Sequence, residues 1–291
     1  MPKLLLVGNP IFINNLKKYN DKVQFDHLKI NNLFEIFQGN LLVFVGGFDS
    51  YRSGGKKYIL YKILSIVKYI VDIRVAIFWI GSDILKINAN IFDNSICHFV
   101  ESSWMKYEVI EKLGEIKIKI KSFVYFDRNK LPELTKFKKD NQLNVSIYFP
   151  SKNSAFYRQD EISKIIIKSP ETKFHVYGGG KFDFHNVINY GWIKDTNIVH
   201  EKCQLHIRIP MHDGLGISVL EALSHGAYVL YTYEYPGCIK YLSLEQSILI
   251  INQLSRKYIS NDLPLNVVGL DNIRNSFCFD KINKDWGSNE K

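Results

Sequence analysis

Short apolar runs alternate with longer amphipathic stretches along this chain, and the alternation occurs twice. In the first half, Leu4–Val7, Leu41–Val45, Val75–Ile80 and Ile96–Val100 are apolar runs of strand length, each bounded by Gly, Asp, Asn or Ser. Between them, Lys57–Asp72 places Ile59, Leu60, Ile63, Leu64, Val67, Ile70 and Val71 at helical spacing, with Lys62 and Lys68 on other faces. Ser102–Leu113 reads as a second helix, with Ser102 as its N-cap and Gly114 at its end. The polar, Lys-rich stretch Asp127–Asn141 interrupts the periodicity and reads as a linker. The alternation then restarts with strands at Val145–Phe149, Lys173–Tyr177, Leu205–Ile209, Tyr228–Tyr231 and Ile248–Ile251. Helices are expected near Gln159–Lys168 and Gly216–Ser224. Strands alternating with helices imply parallel sheets wound by right-handed crossovers. The expected class is therefore α/β with two domains, 1–138 and 142–270, whose parallel sheets face across a cleft. In such sheets ligands bind at the carboxyl ends of the strands.

Composition removes several other classes. Of 291 residues, 46% are hydrophobic and 23% charged, a globular balance rather than that of a disordered chain. The longest uncharged stretch, Ile36–Phe48, falls short of the ~18 residues of a membrane span. Cys97, Cys203, Cys238 and Cys278 are far apart and form no CxxC pair, which points to reduced cytoplasmic thiols rather than a zinc site. Residues 1–140 hold 22 Lys and Arg against 14 Asp and Glu, whereas residues 141–291 hold 16 against 15. The first half thus carries most of the net charge of +9 and suits a polyanion. With no zinc-finger spacing, RNP-type aromatic motif or Arg-rich tail, nucleic acid is not the expected partner. An anionic membrane surface, contacted peripherally, or an acidic acceptor fits better.

The segment IRIPMHDGLGISVLEALSHGAYVLYT, Ile207–Thr232, carries the most chemistry. A strand ends at Ile209-Pro210, a loop follows with His212, Asp213, Gly214 and Gly216, and a helix then runs through Glu221 to Gly226. Glycines at a helix mouth let a ligand approach the backbone, and the helix N-terminus favours phosphate. Asp213 and Glu221 place a carboxylate on each side of that mouth, and carboxylates accept hydrogen bonds from sugar hydroxyls. A phosphate site flanked by two carboxylates suits a sugar nucleotide.

The run D-G-L-G-I-S-V-L-E-A-L-S-H-G-A-Y-V-L resembles the acid–seven residues–acid motif, E-G-F-G-x-x-x-x-E-A-x-x-x-G-x-P-V-V, of retaining GT-B glycosyltransferases, especially family four. KFHVYGGG and VINYGWIKD resemble flanking segments of that family, so the likeness covers most of residues 143–240. In the first half only Trp79-Ile80-Gly81-Ser82-Asp83 resembles a Gly-Ser/Thr-Asp turn of related domains. Asp213 stands where the family has Glu, and Gly8-Asn9-Pro10 replaces its glycine-rich turn.

The resemblance implies two Rossmann-like domains, the first for the acceptor and the second for the nucleotide sugar, with 271–291 returning as a helix toward the first. It implies Glu221 on the ribose hydroxyls, Asp213 near the donor sugar, and the backbone of Gly214, Leu215 and Gly216 near sugar and diphosphate. Lys152, Arg158 and Arg208 are the candidate diphosphate partners, Ile193 belongs to the nucleotide site, and Asp83 to catalysis or the acceptor. No metal or other cofactor is implied. The implied reaction is sugar transfer from a nucleoside-diphosphate sugar to a glycan or lipid-linked hydroxyl, with retention, in surface polysaccharide or lipopolysaccharide synthesis. An alternative is a catalytically inactive GT-B-like subunit, and a weaker one a sugar-nucleotide epimerase. Simpler roles stand beside these: Asp-Gly is a common turn, Asp83 suits a helix cap, and Trp192 suits a partly buried core.

Overall fold

A computed structural model describes residues 4–7, 13, 25–27, 41–46, 62, 63, 66, 74–86, 96–132, 137, 140–150 and 154–281. Contacts divide the chain into one unit of Met1–Tyr125 with Phe277–Lys291 and another of Phe126–Ser276.

The first unit holds a six-stranded parallel sheet. Its strands are β1 (Leu4–Val7), β2 (Phe25–His27), β3 (Leu41–Val45), β4 (Arg74–Phe78), β5 (Cys97–Val100) and β6 (Ile118–Ile120), in the order β2-β1-β3-β4-β5-β6. Continuous apolar runs such as LLVFV are what a parallel sheet buried on both faces requires. Leu42, Phe44, Ile77, Trp79 and Val100 meet there in one core. Helix α1 (Ser103–Leu113) has the ends expected of it: Ser102 Oγ accepts from Met105 N at 3.4 Å, and Gly114 at φ 77° closes onto Ile110 O. Of the expected Lys57–Asp72 helix, only Lys62, Ile63 and Ile66 are among the described residues. They are helical, and Ile63, expected in the apolar stripe, is exposed.

In the second unit the strands are β7 (Asn144–Tyr148), β8 (Lys173–Tyr177), β9 (Val187–Gly191), β10 (Leu205–Arg208), β11 (Tyr228–Tyr231) and β12 (Cys238–Lys240). All pair in parallel, in the order β9-β8-β7-β10-β11-β12. Counted within the unit this is 3-2-1-4-5-6, the Rossmann order, whose direction reverses between β7 and β10. The helices are α2 (Gln159–Ile167), α3 (Asn197–His200), α4 (Ile217–Ser224), α5 (Leu244–Ile259) and α6 (Val267–Ser276). Val145, Ile147, Phe174, Val176, Leu205, Ile207 and Leu230 form the sheet's share of the core. Each such fully buried side chain contributes about 1.5–3 kcal/mol.

One strand expectation changes. Ile248–Ile251 lies inside α5, not in a strand, because Ser243 Oγ caps Gln246 N at 3.2 Å and starts a helix that buries Ser247, Ile251, Leu254 and Tyr258 along one face. The sixth strand is β12 instead. Within the second unit, Arg128 Nη2 donates to Arg274 O at 2.7 Å and Arg274 Nη2 to Pro132 O at 2.9 Å. The helix expected within 271–291 begins earlier, at Val267, and gives way to a 3-10 turn at Phe279–Lys281. Residues 282–291 lie outside the described set.

Two buried histidines make stability pH-dependent. Burial lowers His98 to about 4, and its Nδ1 accepts from Trp79 Nε1 at 3.1 Å. Burial, then Lys173 and Lys202, lowers His175 to about 4. Both stay neutral when folded but take a proton near pH 6.5 when unfolded, so stability is full above about pH 6.5 and falls as pH drops toward 4. Urea unfolding at pH 5.0 is expected to show roughly 2 kcal/mol less stability per histidine than at pH 7.5. His98→Gln, which keeps a neutral acceptor for Trp79, is expected to remove its share; an unchanged pH dependence in that variant would contradict the assignment.

Candidate functional site

The crevice where strand order reverses lies at the carboxyl ends of β7 and β10. Strand β10 ends at Arg208, and the following loop is fastened from several sides before α4 begins. Thr232 Oγ1 donates to Pro210 O at 2.7 Å, Tyr231 Oη donates to Gly214 O, and Met211 N donates to Phe156 O at 2.8 Å. Leu215 is buried beneath this loop. The sheet supports α4 from behind: His206 Nδ1 lies 2.9 Å from Ser146 Oγ and its Nε2 lies 3.1 Å from Ser218 Oγ. Burial holds His206 well below the ordinary histidine range, so it is a neutral strut.

At the carboxyl end of β10 Arg208 grips Asp213 in a bidentate pair. Nε donates to Oδ2 at 2.6 Å and Nη2 to Oδ1 at 2.9 Å, with the two side chains 10% and 13% exposed. The guanidinium lies 5.1 Å from the centre of the Tyr148 ring, at the end of β7. Burial pulls the Arg208 pKa down, but the charge and hydrogen bonds of Asp213 raise it further, leaving it above its ordinary value. Tyr231 and Tyr148 are both pushed up, first by burial and with Asp213 adding to it, so their hydroxyls stay protonated.

Gly216 is where α4 meets this pair. A Cβ there would stand 2.4 Å from Arg208 Nε and 3.0 Å from Asp213 Oδ2. The sequence reading reserved this glycine for a ligand; Arg208 and Asp213 already require it. In the first turn of α4 Val219 N already donates to Gly216 O at 2.9 Å, which leaves the Ile217 and Ser218 amides without an intrahelical acceptor, so a guanidinium and a helix N-terminus lie side by side here.

Glu221, on α4, is 6% exposed. Thr196 Oγ1 donates to its Oε1, and His200 Nε2 stands 3.7 Å from its Oε2. His200 Nε2 also lies 3.0 Å from Tyr177 Oη at the end of β8. Nothing in the sequence marks Thr196 or His200, which precede the motif by more than a dozen residues. The tyrosines at strand ends, Tyr148, Tyr177 and Tyr231, read only as strand formers.

The remaining expected residues have contacts of their own or fall outside the described residues. Arg158, at φ 53° before α2, donates from Nη1 to Glu161 Oε1 at 2.8 Å and packs over Tyr241, so its charge is already partnered. Lys152 and Gly8-Asn9-Pro10 are outside the described residues. Ile193 packs against Tyr177, Val199 and Cys203. Trp192 is 71% exposed instead of buried, and its indole covers Gly179, where a Cβ would meet Nε1 at 2.2 Å. Asp83, in the first unit, accepts from Ile80 N with both oxygens at 3.0 Å and so caps the 3-10 turn Gly81–Lys86.

Removing one partner of a nearly buried pair strands the other's charge. Asp213→Asn is expected to lower unfolding free energy by about 3 kcal/mol in denaturant titration. The double variant Arg208→Met/Asp213→Asn is expected to lose less than the single one. Equal or additive losses would contradict the pairing. Gly216→Ala is expected to lower thermal stability by about 1–3 kcal/mol through overpacking against Arg208; wild-type stability in that variant would contradict the close approach.

No protein-family model matches the sequence, and no curated protein matches it. Among solved structures, HepE of Anabaena in complex with UDP and glucose is similar at a TM-score of 0.67 and 12% identity, covering 98% of each chain. The lipopolysaccharide outer core galactosyltransferase WaaB, in apo form, is similar at 0.55 and 12%, covering 94% of this chain and 95% of that one. A variant of S. aureus TarM in complex with Fondaparinux, alpha-GlcNAc-glycerol and UDP is similar at 0.59 and 14%, over 84% of this chain but 54% of its own length. At these identities the likeness is one of fold: the two parallel α/β sheets are those of GT-B glycosyltransferase structures.

Proposed function

We propose that the chain is a glycosyltransferase that takes a sugar from a nucleoside diphosphate and passes it to a hydroxyl of a glycan or glycolipid. The observation that carries this reading is the meeting of Arg208, Asp213, the N-terminus of α4 and Glu221 at the strand-order reversal of a Rossmann sheet. In a sheet of this order the diphosphate belongs at that reversal, against the helix N-terminus. Arg208 and the Ile217 and Ser218 amides at the start of α4 offer positive charge to a departing diphosphate without reorganisation at the moment of reaction. Glu221 takes the ribose hydroxyls. Asp213, held by Arg208 and approached by Tyr231 Oη at 3.4 Å, takes its place beside the donor sugar.

Several details of the proposal come from the resemblance to family four. They are retention of configuration, a front-face course in which the leaving phosphate helps deprotonate the acceptor, the lack of a required metal, and the basic first half as the acceptor side. Surface polysaccharide or lipopolysaccharide is the proposed product, made at the cytoplasmic face of the membrane with peripheral contact to anionic lipid. Among the described residues no helix is long and apolar enough to cross a membrane.

A second reading is a nucleotide-binding subunit without turnover. The bidentate hold of Arg208 on Asp213 favours it, since each group is occupied by the other.

Ligand-detected NMR with UDP, GDP, CMP, ADP and their common sugars tests the site. One diphosphate is expected to bind selectively, and Glu221→Ala to weaken it by at least about tenfold. Binding that is indifferent to Glu221 would contradict the ribose assignment, and no binding at all would contradict the reading. Selective binding without any transfer over a broad acceptor panel would favour the subunit.

A further inference from the structure

We infer that Thr196 is a positioning residue that aims the Glu221 carboxylate at the ribose, and that it thereby sets discrimination between ribose and deoxyribose nucleotides. The inference rests on the reading of Glu221 as the ribose partner. Thr196 immediately precedes α3, where a threonine hydroxyl ordinarily accepts from a first-turn amide. Here it does not. The Thr196 backbone is already helical, at φ −77° and ψ −15°, and its side chain makes no capping bond. Asp195 Oδ1 takes the Asn197 N–H at 3.1 Å in its place. The Thr196 hydroxyl is left to donate to Glu221 Oε1, 25 residues away.

One turn on, His200 faces the other carboxylate oxygen at 3.7 Å. Its Nε2 is shared with Tyr177 Oη, and its Nδ1 is buried with no hydrogen-bond partner among the described residues. Residues four apart share one helix face, so Thr196 and His200 bracket the carboxylate from a single turn. A carboxylate offers about four lone-pair sites. Thr196 occupies one and turns the group about its own axis, which sets the direction in which the carboxylate meets the 2′ and 3′ hydroxyls. The bracket also ties Glu221 to the segment that leaves β9 with Trp192 and Ile193, so the ribose partner and that segment hold one fixed spacing.

A purely structural tie between α3 and α4 would affect stability, and affinity for any nucleotide alike. Positioning affects the response to the missing hydroxyls. Calorimetric titration with UDP and with 2′,3′-dideoxy-UDP measures that ratio within each variant, so loss of active protein cancels. Wild type and Thr196→Ser are expected to prefer UDP by at least about tenfold, as hydroxyl bonds to a charged group imply. Thr196→Val, which keeps the shape but cannot donate, is expected to bring the ratio to within about threefold, close to that of Glu221→Gln. A Thr196→Val protein that keeps the wild-type ratio would overturn the inference and leave the nucleotide site standing. A wild-type protein that binds UDP and dideoxy-UDP alike would overturn the ribose role of Glu221 and this inference with it. Absence of UDP binding in wild type would overturn both for this nucleotide.

Discussion

The approach of α4 to the Arg208–Asp213 pair is the constraint on which the rest of the site depends. A guanidinium and a carboxylate that are nearly buried stabilise each other only when both hydrogen bonds of the fork are made. Making them requires Asp213 to turn back over the end of β10, and that turn carries the chain straight into α4. The helix can start that close only because Gly216 presents no Cβ to Arg208. Tyr148 of β7 beneath the guanidinium, and Tyr231 on Gly214 and Thr232 on Pro210 at the end of β11, then fix the loop against two different strands. A positive side chain and a positive helix end are thus brought to one place by packing, before any ligand is considered.

The same helix has to bury Glu221. Every residue from Ser218 to Ser224 is buried, so the carboxylate has little water to solvate it. Thr196 and His200 supply part of what water would have given. The neighbouring polar groups are arranged differently. His206 is partnered on both ring nitrogens by Ser146 and Ser218 and is held neutral, whereas His200 keeps one ring nitrogen without a partner among the described residues. The incompletely partnered ring therefore lies beside Glu221, and the fully partnered one between β10 and α4.

Much of this was legible in the sequence where the signal is local. Ser102 and Gly114 bound α1 because a cap and a positive-φ glycine act within a few residues. Parallel strands read clearly because burial on both faces makes them continuous apolar runs. Ile248–Ile251 misled for the same reason, since four β-branched or leucine residues suit a buried strand or a buried helix face equally until the Ser243 cap is weighed. Strand β12, only Cys238–Lys240, is too short to carry a pattern. At the site, Asp213, Glu221, Gly216 and Arg208 were each visible in one segment, but their pairing was not. The sequence does not say that Arg208 spends its fork on Asp213, or that Asp83 spends both oxygens on a backbone amide. Thr196 was invisible because its partner is distant in the chain and its own setting resembles an ordinary helix cap.

The central claim is that a nucleoside diphosphate lies at the reversal of strand order in the second unit. A crystal structure determined after soaking with UDP tests it most directly. The account predicts diphosphate density against the first turn of α4 within hydrogen-bond reach of Arg208, with the ribose hydroxyls on Glu221. Nucleotide density elsewhere on the chain, with this crevice empty, would contradict it.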